Sequence, residues 1–218
     1  DGFKGGHSGV NIKKGTLNAI RAMGRVLYGL SGLTEICLIS INGGDRDNAI
    51  PVWCEAELIL CGKEADEDTV GKRALDCAHE IFDTIREEYE ATDPEIKRSC
   101  AVTKGLSCNA FTKEDTNHLI AALINLPCGV QRRNPQIPNM VQTSLNMGAV
   151  RTLENEVKIV FGVRSASASE TNNLLDRLKA FAELLGGTVT IHGVYPGWDY
   201  RALSRVRDMM VEAYVDLY

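Results

Sequence analysis

The chain has 218 residues, of which 44% are hydrophobic and 24% are charged, so disordered, collagen-like and coiled-coil classes are excluded. Its 24 basic and 29 acidic residues give a net charge of −5, which argues against nucleic-acid binding because phosphate recognition normally needs a basic surface. No apolar run approaches the roughly 18 residues of a membrane span, and the N-terminus does not read as a signal peptide.

The first half of the chain has the periodicities of alternating helices and strands. Apolar residues recur either at helical spacing or at every second position, which distinguishes amphipathic helices from half-buried strands. The predicted elements are a helix at 16–30 capped by Gly15-Thr16, neighbouring antiparallel strands at 36–41 and 52–60, a helix that follows Asp66 and ends before Pro94, and a strand at 100–103.

The same order of elements recurs in the second half. The predicted elements are a helix capped by Thr112, a polar linker at 131–139, strands at 141–147 and 157–163, a helix between the capping box Ser167-Ala168-Ser169-Glu170 and Gly186-Gly187, and a strand at 189–191. The first strands of the two halves also end alike, since Ser40-Ile41-Asn42-Gly43-Gly44 is echoed by Ser144-Leu145-Asn146-Met147-Gly148. These similarities indicate an internal repeat.

The repeat predicts an α+β fold made of two ferredoxin-like β-α-β-β-α-β halves, with an antiparallel sheet and helices on one face. The halves span about 1–104 and 105–193, and residues 2–4 would complete the first strand. An amphipathic helix that begins at Leu203 has no counterpart in the repeat. We therefore expect one domain at 1–193, and at 194–218 the truncated start of a neighbouring segment.

The cysteine pattern predicts reduced thiols and a cytoplasmic protein. The seven cysteines are an odd number, lie in apolar stretches and form no C-x-x-C pair, whereas a disulfide framework or a zinc ribbon needs paired spacings. We expect most of them to be buried. The chain opens on Asp1 and has no initiator Met, so we also expect a piece of a longer protein.

Generic catalytic and metal-binding motifs are absent from the sequence. It contains no H-E-x-x-H, H-x-D or C-x-x-C spacing, no G-x-S-x-G elbow and no phosphate-binding P-loop. Three of the four histidines, His79, His118 and His192, lie within predicted helices or at a strand end, where a solvated or edge-packed histidine is the ordinary interpretation.

Three residues remain as candidates for a site. His7 lies in Gly5-Gly6-His7-Ser8-Gly9, where the glycines let a ligand or another backbone approach the ring. Asn48 follows a Gly-Gly-Asp turn at the start of a strand, and Arg164 ends an apolar strand. Each also has a purely structural interpretation, namely an incidental histidine, turn chemistry and a surface ion pair.

Six motifs occur in order along nearly the whole chain: Gly5-Gly6-His7-Ser8-Gly9, Asn48-Ala49-Ile50-Pro51, Leu126-Pro127-Cys128-Gly129-Val130, Val141-Gln142-Thr143-Ser144-Leu145-Asn146, Val163-Arg164-Ser165 and Tyr195-Pro196-Gly197-Trp198. Together they resemble the lid, or dimerisation, domain of aminoacyl-histidine dipeptidases, a group of carnosinase-like di-zinc metallopeptidases. Residues 93–109 and 131–139 match none of the family's motifs, which leaves the selectivity for dipeptides open.

The resemblance implies a role for each candidate residue. His7 would be catalytic and would donate a hydrogen bond to the substrate carbonyl or to the developing oxyanion. Arg164 would clamp the C-terminal carboxylate of the substrate, and Asn48 matches the substrate-binding asparagine of the lid. Two zinc ions and the general base would belong to a catalytic domain missing from this chain, which by itself would bind no metal and be inactive.

The resemblance thus implies a cytoplasmic zinc hydrolase that cleaves Xaa-His or other short dipeptides. Its partners would be the dipeptide substrate, the missing catalytic domain and a second copy in a homodimer, with no nucleic acid or membrane. His7 could act in cis or in trans. Two alternatives stay open: the lid of a related zinc carboxypeptidase or N-acyl-amino-acid hydrolase, and a non-enzymatic ferredoxin-like sensor or oligomerisation module.

Overall fold

Groups of strands and groups of helices follow one another in the computed structural model, which describes residues 1–61, 67–104, 109–197, 200–201 and 203–218. The strands are β1 (Gly6–His7), β2 (Ile36–Gly44), β3 (Ala49–Ile50), β4 (Cys54–Leu60), β5 (Gly129–Arg133), β6 (Val141–Thr152) and β7 (Val157–Ser165). The helices are α1 (Ala19–Leu33), α2 (Glu67–Glu88), α3 (Lys113–Asn125), α4 (Ala168–Leu184) and α5 (Arg205–Leu217). Among the helices described, none combines the length and apolar character that a membrane span requires.

A five-stranded antiparallel sheet is built around β6. Strand β7 pairs with β6 along almost its whole length, while β5 pairs with the N-terminal part of β6 and β2 with its C-terminal part. Because the same residues of β6 also pair with β7, β2 and β5 share one edge of β6 and β7 occupies the other. Strand β4 extends the sheet beyond β2. The predicted α+β class with an antiparallel sheet is confirmed.

The helices and the sheet enclose one main apolar core. Helix α1 packs against α2, α3 and β2, and α4 packs against β7. The core draws residues from α1 to α4 and from the central strands, including Ile20, Leu27, Leu38, Ile41, Ala78, Leu123, Leu145, Met147 and Leu174. Burial of such side chains contributes roughly 1.5–3 kcal/mol each, so this core is the main source of stability.

The two faces of β6 are covered by different parts of the chain. Leu145 and Met147 point into the apolar core, whereas Ser144 and Asn146 point to the opposite face because successive residues of a strand alternate. Both faces are nevertheless buried. The second face is covered by the segment that carries β3, since the Asn146 side chain donates hydrogen bonds to backbone carbonyls on both sides of Asn48.

Helix α1 begins three residues later than predicted. Its N-cap is Asn18, whose side chain accepts two backbone N–H bonds of the first turn, and the predicted cap at Gly15-Thr16 is wrong. The reason is a long-range contact: the Leu17 N–H donates to the buried carboxylate of Asp93 at 2.9 Å, which holds Leu17 outside the helix.

Of the two caps predicted in the second half, one is confirmed. The Thr112 side chain accepts the N–H of Asp115 at 3.1 Å and begins α3 as expected. Helix α4 also begins at the expected place, but the Ser167 side chain makes no capping bond. Glu170, the other member of the predicted capping box, instead pairs with Arg132 at 2.5 Å.

The outer strands of the predicted repeat are not formed in the described residues. Segments 2–4, 100–103 and 189–191 are irregular, and β5 occupies the start of the predicted linker at 131–139. The first residues of the chain run beside 93–97 instead, where the Lys97 N–H donates to the Asp1 carbonyl at 2.8 Å. The structure therefore does not confirm the ferredoxin-like halves, and their boundaries stay a prediction.

The end of α4 and the last helix agree with expectation. Gly186 adopts a positive φ of 71° directly after α4, which is the usual conformation of a glycine that stops a helix. Helix α5 forms, but none of its residues is buried. Trp198, the last residue of the predicted turn motif, lies outside the described residues, as does Asp66, which precedes α2.

The six cysteines in the described residues are free thiols, and Cys108 lies outside those residues. Cys100 is exposed and the other five are partly buried, so burial is less complete than expected. Removal from water raises the pKa of the Cys54 thiol to about 12, since a low-dielectric environment disfavours the thiolate.

Candidate functional site

His7 is held on a two-stranded antiparallel ladder away from the main sheet. Strand β1 pairs with β3 through Gly6 opposite Ile50 and His7 opposite Ala49. The ladder continues through the Ser8 N–H, which donates to the carbonyl of Asn48 at 2.9 Å. The two predicted site residues His7 and Asn48 are therefore brought together by backbone pairing between segments far apart in sequence.

The glycines before His7 have the close contacts that the sequence predicted. Gly5 and Gly6 adopt positive φ values of 63° and 127°, which a residue with a side chain rarely adopts. A Cβ atom on Gly5 would also lie 2.3 Å from a methyl carbon of Val52. Only glycine lets the β1 segment lie this close to the chain that follows β3.

The tautomer of the neutral His7 ring follows from a hydrogen bond with a neighbouring backbone amide. The Gly9 N–H donates to Nδ1 at 3.1 Å, so Nδ1 acts as an acceptor and the proton of the neutral ring is assigned to Nε2. The His7 backbone N–H in turn donates to the side chain of Asn11 at 3.0 Å. Because His7 is exposed, its Nε2–H is available as a hydrogen-bond donor to a ligand.

Arg164, on β7, reaches the same place from the main sheet. A Cβ atom on Gly9 would lie 3.1 Å from Cε1 of His7 and 3.3 Å from Nε of Arg164, so the imidazole and the guanidinium flank one point. Arg164 donates to the hydroxyl of Tyr195 at 3.5 Å. Within the described part of the chain no carboxylate forms an ion pair with it, and the surface ion-pair interpretation fails there.

The motif that begins with Tyr195 follows the end of β7. A Cβ atom on Gly197 would lie 2.6 Å from the carbonyl oxygen of Ser165, the residue after Arg164. This close backbone approach keeps the segment beside β7 and brings the Tyr195 hydroxyl to the guanidinium.

Asn48 lies in an exposed loop that rests directly on the central sheet. A Cβ atom on Gly148 of β6 would lie 2.5 Å from the Arg46 carbonyl oxygen, and one on Gly162 of β7 would lie 2.6 Å from that of Asp47. The two glycines therefore admit the loop backbone at a distance that any side chain would prevent. This contact determines how close the backbone of Asn48 lies to the sheet.

A cavity of about 350 Å³ lies beside this loop, within the size range of small-molecule sites. It is lined by Gly6, His7, Asp45, Arg46, Asn48, Ala49, Ile50, Pro51 and Val52. The structure thus places His7 and Asn48 in one cavity, and Arg164 next to the His7 ring.

The described residues offer no site for the zinc ions, which the resemblance assigns to the missing catalytic domain. They contain no group of three or more histidine, cysteine, aspartate or glutamate side chains that could hold a metal ion. The chemistry that this part of the chain offers is that of a neutral N–H donor, an amide and a guanidinium.

Sequence reasoning missed two supporting residues. Gly9 lies in the glycine-rich motif around His7, but its N–H bond to the His7 ring depends on the folded backbone. Asn146 ends one of the six motifs and belongs to the strand echo, but neither pattern assigns a role to it; in the structure it is a buried amide between two core residues, Leu145 and Met147. The alternation of β6 places Asn146 on the face opposite Leu145 and Met147, and no signal in the sequence shows that this face is covered.

Comparison with known proteins gives a family match and relatives that include two dipeptidases. Residues 1–93 match the family model described as peptidase dimerisation domain. The chain is 32% identical over 217 residues to the cytosol non-specific dipeptidase of Escherichia coli (strain K12), which covers 100% of this chain and 43% of that protein. It matches the crystal structure of aminoacylhistidine dipeptidase from Vibrio alginolyticus with a TM-score of 0.89 and 28% identity, covering 100% of this chain and 43% of that one. The chain therefore spans less than half the length of either relative.

Proposed function

We propose that this chain is the substrate-binding lid of a zinc-dependent dipeptidase. These matches confirm its resemblance to the lid domain of aminoacyl-histidine dipeptidases. The names of the two relatives support short dipeptides, including Xaa-His, as substrates. The name of the Escherichia coli relative also supports a cytosolic location. The family description supports a homodimer. Zinc binding and activation of water would belong to the rest of the protein.

The observation that carries the proposal is the meeting of His7 and Arg164 beside Gly9. In a dipeptide a single residue separates the scissile carbonyl from the terminal carboxylate, and one residue of extended chain spans about 3.3–3.6 Å. The His7 ring, with Cε1 at 3.1 Å, and the Arg164 guanidinium, with Nε at 3.3 Å, border one point and suit that short separation. A longer peptide has no carboxylate at this distance from the scissile bond.

Each residue has a defined task in this proposal. The Nε2–H of His7 donates to the carbonyl oxygen as it gains negative charge, and one such preorganised donor contributes roughly 3–4 kcal/mol to the lowering of the barrier. The guanidinium of Arg164 binds the carboxylate through paired N–H bonds. Asn48, in the same cavity as His7, binds the substrate through its side-chain amide.

The test uses the full-length protein that contains this chain. Replacement of either residue, His7→Ala or Arg164→Ala, is expected to lower kcat/KM for dipeptides by roughly a hundredfold or more while the metal content is unchanged. His118→Ala, in α3 and away from this cavity, is the matched control and is expected to leave kcat/KM unchanged.

Four results would contradict the proposal. Loss of zinc in either variant would show that the residue is a metal ligand. An unchanged kcat/KM would show that the residue has no role in binding or cleaving the dipeptide. Measurable dipeptide hydrolysis by the 218-residue chain alone, supplied with Zn²⁺, would place the catalytic centre within it. Faster turnover of N-acyl amino acids than of dipeptides would favour the acyl-amino-acid hydrolase instead.

A further inference from the structure

We infer that Asn146 is a positioning residue that sets the location of Asn48 and His7 in the site. Its consequence for catalysis rests on the proposed function, but its structural part does not. Asn146 lies on the central strand β6 and is only 1% exposed, so it is out of reach of a substrate. Any effect it has on a reaction must act through the residues that it holds.

The Asn146 amide holds the loop on both sides of Asn48. Its Nδ2 donates to the carbonyl oxygen of Asp47 at 2.9 Å and to that of Ala49 at 2.8 Å. Only an NH₂ group can donate to two carbonyls, so these bonds also assign the orientation of the amide. The backbone on both sides of Asn48 is therefore fixed to the sheet.

The same loop transmits this constraint to His7. The carbonyl between the two that Asn146 holds is that of Asn48, and it accepts the Ser8 N–H at 2.9 Å. His7 itself is paired with Ala49 in the β1–β3 ladder. Three successive carbonyls are thus engaged, two by the sheet below and one by the segment that carries His7.

The cost of burying this amide indicates that stability alone does not explain it. Asn146 Oδ1 is buried and has no hydrogen-bond partner in the described part of the chain. An unsatisfied buried acceptor is unfavourable, and an apolar residue at this position would avoid it. The two donated bonds to the loop are what the asparagine supplies and an apolar side chain could not.

The experiment compares three variants of the full-length protein. Asn146→Ala removes the two donors, and Gly162→Ala displaces the same loop in a different way, because the new Cβ would lie 2.6 Å from the Asp47 carbonyl oxygen. Thr152→Val is the matched control: it lies on the same strand, and its hydroxyl is bonded to the N–H and carbonyl of Ile41 on β2, away from the loop.

Hydrogen exchange and steady-state kinetics are measured on each variant. In Asn146→Ala and Gly162→Ala we expect faster exchange in peptides covering 5–11 and 45–52. We also expect kcat/KM for a dipeptide to fall by roughly 10- to 100-fold, mostly in kcat, since displacement of groups that contact the reacting carbonyl by about 1 Å has effects of this size. Thr152→Val should change neither the exchange of these peptides nor the kinetics.

The two readouts separate the possible failures. Unchanged exchange in Asn146→Ala would overturn the inference whatever the activity. Faster exchange with wild-type kcat/KM would show that the loop position does not matter for the reaction and would also overturn it. A wild-type protein that hydrolyses no dipeptide would overturn the proposed function, while the exchange difference would still report the structural role of Asn146.

Discussion

At the scale of single residues, Gly9 serves the His7 ring in two ways. Its N–H occupies Nδ1 and so places the ring proton on Nε2. Its missing side chain leaves the space that the imidazole and the Arg164 guanidinium border from two sides. The first property belongs to the backbone of any residue other than proline, whereas the second belongs to glycine alone.

The variant Gly9→Ala separates these two properties. The N–H is kept, so the Nε2 proton stays in place, but the added methyl group would lie 3.1–3.3 Å from His7 and Arg164 and would push them apart. We expect kcat/KM for dipeptides in the full-length protein to fall by roughly tenfold, because the donor and the cation lose their spacing.

The control for this prediction is Gly32→Ala on α1, where an added Cβ meets nothing within 4 Å. It should leave activity unchanged and raise the free energy of unfolding by about 0.5–1 kcal/mol, since alanine is the better helix former. Wild-type kcat/KM in Gly9→Ala would contradict a spacing role for Gly9.

The sequence identified the candidate side chains better than the residues that arrange them. His7, Asn48 and Arg164 are recognisable from their motifs, and the structure brings all three close together. Gly9 and Asn146 act through a backbone amide and two backbone carbonyls, and which amide meets which carbonyl depends on the tertiary fold. No local pattern encodes those contacts.

At the scale of helices and strands, local signals predicted the elements but not all of their ends. The helices follow from apolar periodicity, and Thr112 caps α3 as its sequence suggests. The caps of α1 and α4 differ because Leu17 is bonded to Asp93 and Glu170 is paired with Arg132, both through long-range contacts. The strands predicted at 100–103 and 189–191 have suitable residues but pair with no strand among the residues that the structure describes, and strand pairing is not a local property.

The C-terminus of α3 offers a prediction at this scale. The Arg21 guanidinium on α1 donates to the carbonyls of Leu123 and Ile124 at 2.7 Å and to that of Leu126 at 3.2 Å. These are carbonyls that the end of a helix leaves without partners. Arg21 therefore ties α3 to α1 with charge-assisted hydrogen bonds.

Arg21→Ala is expected to lower the free energy of unfolding by about 1–3 kcal/mol, because partly buried carbonyls lose their donor. Chemical denaturation of the 218-residue chain, followed by circular dichroism, measures the change. Arg177→Ala, an exposed arginine on α4, is the control and should stay within about 0.5 kcal/mol of wild type. Equal stability of Arg21→Ala and the control would show that water replaces the guanidinium without cost.

At the scale of the whole molecule, the two faces of strand β6 contact different parts of the chain. The face of β6 that carries Leu145 and Met147 belongs to the apolar core, and the face that carries Asn146 supports the loop with Asn48. Substitutions on the first face should act mainly on folding, and those on the second mainly on the site.

The last helix stands apart from this arrangement. Seven apolar residues of α5 are exposed: Val206, Met209, Met210, Val211, Tyr214, Val215 and Leu217. No residue of α5 is buried, so the helix contributes nothing to the core. Exposed apolar faces of this kind promote association.

Deletion of residues 203–218 from the chain should therefore leave the free energy of unfolding within about 0.5 kcal/mol of its original value and reduce binding of an apolar dye. Leu174→Ala on α4, where the side chain is buried in the core, is the contrasting control and should cost about 2–5 kcal/mol. The measurement is the denaturation midpoint of the original chain, of the deletion variant and of Leu174→Ala. A deletion as destabilising as Leu174→Ala would contradict this prediction, because it would show that α5 is buried against the rest of the chain.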